Sequence, residues 1–284
     1  MMQFFLLLTA IVISGFAILP LLMKFLYPRY SIGFVCILSL PAGWAFFTIM
    51  LFLMNLFFSV SIGLFSGFIA LLFIFLCSLL LRRVHRNFLV NTEVFSGEKT
   101  NYDTNSPIAE LQPPCRRFFC FFLCIIALIF WLGIGFLAMG SPVDDIPGFG
   151  VWGYKSLLIY DTGAIPFDVI ADSGSPYLHA DYPMGYPILL AWCQFAMMEF
   201  NDQLIKLLPF LSAVLVFLLF IVICIHLGVG LNFSLLFALL VSSAGSFVLC
   251  ATSMYADILL LLYVLPGVFL IFRHLTTEGG LAEL

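Results

Sequence analysis

The chain has 284 residues, of which 63% are hydrophobic and 9% are charged, and its formal net charge is −4. Soluble domains carry about 25% charged residues, so this composition excludes a soluble fold and requires lipid around much of the chain. The sequence has no basic face, and we therefore expect no nucleic-acid partner.

The apolar runs predict an all-α polytopic membrane protein with about seven transmembrane helices. Each run is close to the ~20 residues that cross a bilayer as a helix. The predicted spans are 3–23, 32–58, 62–81, 118–139, 207–225, 232–253 and 258–272. The first run lacks the basic start of a signal peptide and is too long for one, so we expect a retained span.

A polar segment divides these spans into two membrane regions. Residues 1–81 are predicted to form a three-helix N-terminal unit. Residues 82–116 are predicted to be a flexible cytoplasmic linker, because 87–114 is polar, rich in turn residues and aperiodic. Residues 117–284 form the second region, which the long loop 140–206 interrupts.

The loop 140–206 contains one apolar run, 188–198, which is too short to span a bilayer comfortably. It lies between Pro187 and Glu199. We therefore predict a short juxtamembrane helix that lies along the interface or enters the membrane part-way. Cysteines inside the apolar runs are expected to be small buried hydrophobes and not disulfide partners.

Lysines and arginines set the predicted orientation, because cytoplasmic loops are enriched in both. With seven spans, nine of the eleven basic residues fall on one face of the membrane. They are Lys24, Arg29, Arg82, Arg83, Arg86, Lys99, Arg116, Arg117 and Arg273. That face is predicted to be cytoplasmic, so the N-terminus and the loop 140–206 face the periplasm or lumen. We expect an integral protein of the bacterial inner membrane.

Three aspartates are the candidate catalytic acids. Asp144 and Asp145 directly follow the fourth predicted span, where partial desolvation raises a carboxyl pKa and suits it to accept a proton. The alternative is an ordinary solvated helix end. Asp257 lies at the start of the last predicted span on the same face, and an acid there can mark a site, cap the helix or do both.

Two short motifs in the loop supply candidate binding residues. In W-G-Y-K, Trp152 can anchor the loop at the headgroups, and Lys155 can neutralise a phosphate or pair with a neighbouring aspartate. In H-A-D-Y-P, His179 and Asp181 can hydrogen-bond a sugar or phosphate, or bind a divalent cation. A surface loop without these functions is the alternative, and spacing alone does not identify a metal.

The order of these motifs resembles the C-type superfamily of polytopic glycosyltransferases, which includes protein mannosyltransferases and the lipid A aminoarabinose transferase. The motifs that carry the resemblance are W-x-x-K, beginning at Trp152, and H-x-D-Y-P-x-x-x-P, beginning at His179. It covers roughly residues 118–275. No sequence typical of a hydrolase or of a nucleotide-binding loop accompanies them.

The resemblance implies site roles for residues of this chain. Asp144 or Asp145 would be the catalytic acid, and Asp257 the second acid. The donor or acceptor pocket would be lined by His179, Asp181 and Tyr182, with Trp152 beside it and Lys155 near the donor phosphate. Relatives carry an acid nearer the tryptophan, where this chain has Ile146-Pro147, so which aspartate acts stays open.

These inferences predict transfer of a sugar from a polyprenyl-phosphate donor to a glycan, lipid or protein acceptor of the cell envelope. No cofactor is predicted beyond a possible divalent cation. The alternatives are a polytopic transporter and a non-catalytic membrane assembly subunit. Because family members continue beyond the span that follows Asp257, we also expect the chain to be truncated.

Overall fold

The computed structural model describes residues 2–19, 22, 30–89, 113–141, 146–171, 179 and 181–277. All regular structure in those residues is helical and no strand occurs among them, which confirms the all-α prediction. The helices are α1 (Met2–Phe16), α2 (Ile32–Phe58), α3 (Leu64–Leu89), α4 (Pro113–Gly140), α5 (Tyr154–Thr162), α6 (Phe167–Ala171), α7 (Gly185–Met197), α8 (Leu207–His226), α9 (Leu231–Ser242), α10 (Gly245–Thr252) and α11 (Asp257–Thr277). A π-helical turn, Ile146–Gly153, leads into α5, and a 3-10 turn, Leu204–Lys206, leads into α8.

Several of these helices can cross a membrane, as expected of a multi-pass membrane protein. Within the described residues, four are long and apolar enough: Ile32–Phe58, Arg117–Gly140, Leu204–His226 and Asp257–Thr276. α9 and α10 meet at 74° and make a fifth if the bent pair is one span. The apolar helices at the two other predicted spans, α1 and the first part of α3, are shorter, so the count of seven stays a prediction.

Contacts between helix ends show that the bundle has two distinct ends. At one end, Ser31 at the start of α2 lies 3.4 Å from Nε2 of His226 at the end of α8, and the His226 ring contacts Phe269 of α11. At the other, Asn55 of α2 accepts a hydrogen bond from the backbone N–H of Ile165, just before α6. We call these the His226 end and the loop end.

The other helix directions follow from this arrangement. Lys206, at the start of α8, donates to Ser141, so α4 finishes where α8 begins, at the loop end. α1 runs antiparallel to α2, because Trp44 Nε1 donates to the Ile11 carbonyl at 2.9 Å while Gly15 lies against Gly43. Both glycines lack a Cβ at this crossing, which lets the two backbones approach closely.

The structure also describes both flanks of the predicted linker and the short loop helix. α3 continues to Leu89 and α4 begins at Pro113, so the flanks of the predicted linker 82–116 are helical. The predicted short helix is present as α7, which has 13 residues and is almost entirely buried. It packs against α1, α2 and α5, and its Trp192 fits against Gly67 of α3. α7 therefore ties the loop to the N-terminal helices.

Candidate functional site

The structure describes one of the three predicted acids. Asp144 and Asp145 lie outside the described residues. Asp257 is the first residue of α11 and is exposed at the loop end.

The structure brings all five predicted binding residues together at the loop end. The rings of Trp152 and Tyr182 stack, with centroids 5.3 Å apart and an angle of 16° between planes. The imidazole of His179 also stacks on Tyr182, at 4.9 Å and 17°. These three rings form what we call the aromatic cover. Tyr182 and His179 keep part of their surface exposed to solvent.

Lys155 lies beneath the aromatic cover and is completely buried. Its ammonium donates a hydrogen bond to the backbone carbonyl of His179. The ammonium is also 6.0 Å from the Trp152 ring centroid and 5.9 Å from that of Tyr182. Within the described part of the chain, no carboxylate is paired with it. An ammonium has three N–H donors, so two of them lack an acceptor there.

Lys155 lies next to a tightly packed junction between two helical elements. It is the second residue of α5, directly after the π-helical turn Ile146–Gly153. π-Helical turns are rare in proteins, and those that occur are often found at functional sites. Gly153 allows a close contact at this junction, because a Cβ there would lie 2.7 Å from the Phe149 ring and 2.9 Å from the Met254 sulfur. The junction therefore packs directly against the segment that leads to Asp257.

Burial and a neighbouring acid act on Lys155 in opposite directions. Burial lowers the pKa of the Lys155 ammonium below its usual 10.5, and the carboxylate of Asp181 partly offsets this. Asp181 is itself well exposed, and its carboxylate lies 4.0 Å from Nδ1 of His179. The site thus combines a buried cation, an exposed carboxylate and polar aromatic surfaces.

Two residues at this end of the bundle were not predicted. Tyr186 packs edge-on against Trp152 at 5.9 Å, and its buried hydroxyl has no hydrogen-bond partner among the described residues. Burial raises its pKa, so the phenol stays neutral. Lys206 is also buried, and it donates to the carbonyl and the hydroxyl of Ser141. In the sequence, Lys206 is distinguished only by its position directly before a long apolar run.

The described residues do not assemble a metal centre. In the ranges given above, no group of three or more histidine, cysteine, aspartate or glutamate side chains comes together. His179 and Asp181 are the nearest approach to one, and they supply two potential ligands. The possible divalent cation therefore stays a prediction.

Comparison with known proteins gives no relative from which a function can be transferred. No protein-family model, no curated protein and no solved structure matches the chain. The assignment of a function therefore depends on the chemistry of the loop end.

Proposed function

We propose that this protein is a membrane glycosyltransferase that transfers a sugar from a polyprenyl-phosphate donor to an acceptor on the outer, periplasmic or lumenal, face. The observation that carries the proposal is the buried ammonium of Lys155, which has only a backbone carbonyl as its acceptor in the described residues. A buried charge without an ion partner is costly, and a bound anion would compensate it. A phosphate is an anion that can accept charge-assisted hydrogen bonds from an ammonium.

The proposed chemistry needs little from the protein, because a polyprenyl phosphate is already a good leaving group. The acceptor hydroxyl oxygen attacks the anomeric carbon while the bond from that carbon to the phosphate oxygen breaks. The hydroxyl proton passes to a carboxylate, for which we propose Asp144 or Asp145, with Asp257 as the second acid. Lys155 balances the charge that develops on the departing phosphate.

The surroundings of Lys155 also suit a sugar. Trp152 and Tyr182 are aromatic residues with partly exposed side chains, and the negative potential of an aromatic face attracts the polarised C–H groups of a sugar ring. Asp181 and His179, at the rim, can accept or donate hydrogen bonds to sugar hydroxyls. A cation beside aromatic faces and exposed polar groups therefore fits a phosphate that is joined to a sugar.

We also propose that seven spans cross the membrane and that the loop end faces outward. The alternating helix directions and the cytoplasmic preference of basic residues support this orientation. A cysteine at position 172 should then be labelled by an impermeant reagent from outside, and a cysteine at position 100 only after permeabilisation. The reverse labelling pattern would overturn the orientation.

A transporter is less well supported than an enzyme. Transporters place charged residues near the middle of the membrane, where substrates and coupling ions bind. In the four described spans and the α9–α10 pair, aspartate, glutamate, lysine, arginine and histidine occur only near the helix ends, at positions such as Asp257 and Arg273. Charge at the ends and an apolar middle fit chemistry at the membrane surface.

The test uses the full chain in lipid nanodiscs with radiolabelled polyprenyl-phosphate sugars and a panel of glycan, lipid and protein acceptors. We expect transfer of label with release of polyprenyl phosphate. The double variant Asp144→Asn and Asp145→Asn should abolish transfer and leave membrane insertion intact. Full transfer by that variant would exclude both as the base, and no transfer by the parent chain with any donor would refute the proposal.

A further inference from the structure

Because Lys155 is completely buried, a ligand can reach it only if part of its surroundings moves. No atom of Lys155 touches solvent. A phosphate group is larger than water, so none of its oxygens can contact the ammonium while the surrounding residues keep these positions. Any anion that binds Lys155 must therefore first displace part of what covers it.

The aromatic cover is the part of the surroundings best placed to move. Its three members approach Lys155 from one side: the rings of Trp152 and Tyr182 lie about 6 Å from the ammonium, and the carbonyl of His179 accepts its hydrogen bond. Tyr182 and His179 are exposed residues, whereas Trp152 is half-buried and packs against Tyr186 of the buried helix α7. An outward movement of Tyr182 and His179 alone leaves the contact between Trp152 and Tyr186 of α7 in place.

We propose that the aromatic cover is a ligand-operated gate: the donor phosphate replaces the His179 carbonyl as the acceptor of Lys155, and Tyr182 swings away from Trp152. This inference rests on the proposed function and adds how the donor enters. The exchange is favourable because the phosphate brings a negative charge to a buried cation, whereas the carbonyl that it replaces is neutral. The ring stack is the smaller interaction that is lost.

Opening the cover would also prepare the sugar site. When Tyr182 leaves Trp152, the stacked faces of both rings become available to the sugar that follows the phosphate. Without donor, the closed cover keeps water and small anions away from Lys155. The same movement thus couples recognition of the phosphate to exposure of the sugar-binding surface.

The test follows tryptophan fluorescence of the chain in nanodiscs on addition of farnesyl phosphate, with farnesol as the control that lacks the phosphate. We expect a saturable red shift with farnesyl phosphate alone, because Trp152 loses its stacking partner and meets water. Trp152→Phe should remove the shift by removing the reporter, and Lys155→Met should remove it by removing the binding group.

Tyr182→Ala provides a second readout, the binding affinity, which does not depend on the fluorescence of Trp152. Without its central ring the cover cannot close, so radiolabelled farnesyl phosphate should bind more tightly. The gain should be roughly tenfold if the open state of the parent is about 10% populated. Unchanged binding in Tyr182→Ala would overturn the gate, and so would the absence of a phosphate-dependent Trp152 shift in the parent.

Transfer measured in the same preparations separates the two proposals. A phosphate-dependent shift without transfer from any donor supports the gate and refutes the glycosyltransferase. Transfer without a Trp152 shift supports the enzyme and refutes the gate. The absence of both refutes both.

Discussion

The loop end holds two buried lysines, Lys155 and Lys206, whose ammonium groups have different surroundings. Lys206 donates to both the carbonyl and the hydroxyl of Ser141, at the end of α4. Because the carboxyl end of a helix carries a partial negative charge, this is a favourable place for a cation. Lys155 has one carbonyl, from His179, beneath aromatic rings. The difference supports the proposed division of roles, in which Lys206 joins two helices and Lys155 binds a ligand.

The replacement Lys155→Met should have the largest effect on activity. We expect transfer to fall about 100-fold to 1000-fold, the loss typical when one preorganised donor to a developing charge is removed. The free energy of unfolding should change by less than about 1 kcal/mol, because the cost of burying a charge disappears with the hydrogen bond. Transfer rates in nanodiscs and unfolding in detergent measure the two effects, and near-normal transfer would show that Lys155 binds no phosphate.

The replacement Lys206→Met should have its main effect on stability. Loss of charge-assisted hydrogen bonds to Ser141 should lower the free energy of unfolding by about 2–3 kcal/mol. Unfolding in graded mixtures of mild and denaturing detergent measures it, with Lys155→Met as the matched buried-lysine control. If Lys206→Met keeps full stability but loses farnesyl phosphate binding, then Lys206 is also a ligand-binding cation and the distinction between the lysines fails.

The replacement Gly153→Ala tests whether the junction before Lys155 must be tightly packed. The new Cβ would lie 2.7 Å from the Phe149 ring and 2.9 Å from the Met254 sulfur. Overpacking of this kind costs about 1–3 kcal/mol and should displace the start of α5. Gly133→Ala in α4 is the control, because a Cβ there meets no atom within 4 Å. Equal stability of the two variants would show that the junction can relax without cost.

Helix positions were the part of the structure most accessible from sequence. The span predicted at 32–58 matches α2, Ile32–Phe58, because a bilayer demands a continuous apolar run of fixed length. The run 232–253 satisfied the same rule, yet α9 and α10 meet there at 74°. The signal was Ser-Ser-Ala-Gly-Ser at 242–246, where small polar residues favour a break that hydropathy does not register.

The site could be predicted only in part. Motif order grouped Trp152 with Lys155 and His179 with Tyr182, but the stacking of Trp152 on Tyr182 depends on how α5 and α7 pack. The burial of Lys155 had no local signal, because lysine in a polar loop is normally solvated. Tyr186 was missed for the opposite reason: an aromatic residue in an apolar helix is ordinarily part of the core.

The pH dependence of phosphate binding is the smallest effect that we predict, and it is the most specific test of whether Lys155, and not Lys206, binds the phosphate. Only the ammonium form of Lys155 binds an anion, so affinity should be constant below its pKa and fall up to tenfold per pH unit above it. Burial lowers that pKa, so the fall should begin below pH 10.5. Without ligand, the lowered pKa of Lys155 means that the folded protein favours the neutral amine. The free energy of unfolding should therefore rise with pH between the lowered pKa and 10.5.

Two variants assign this pH dependence to Lys155. Lys155→Arg should abolish the alkaline loss of farnesyl phosphate binding, because a guanidinium stays charged throughout the range. Asp181→Asn should move the loss to lower pH, because the carboxylate that supports the ammonium is gone. Equilibrium binding between pH 7 and 10.5 measures both. An identical alkaline loss in Lys155→Arg would place the titrating group elsewhere, and Lys206, the other buried lysine of the loop end, would then be the next residue to replace with arginine.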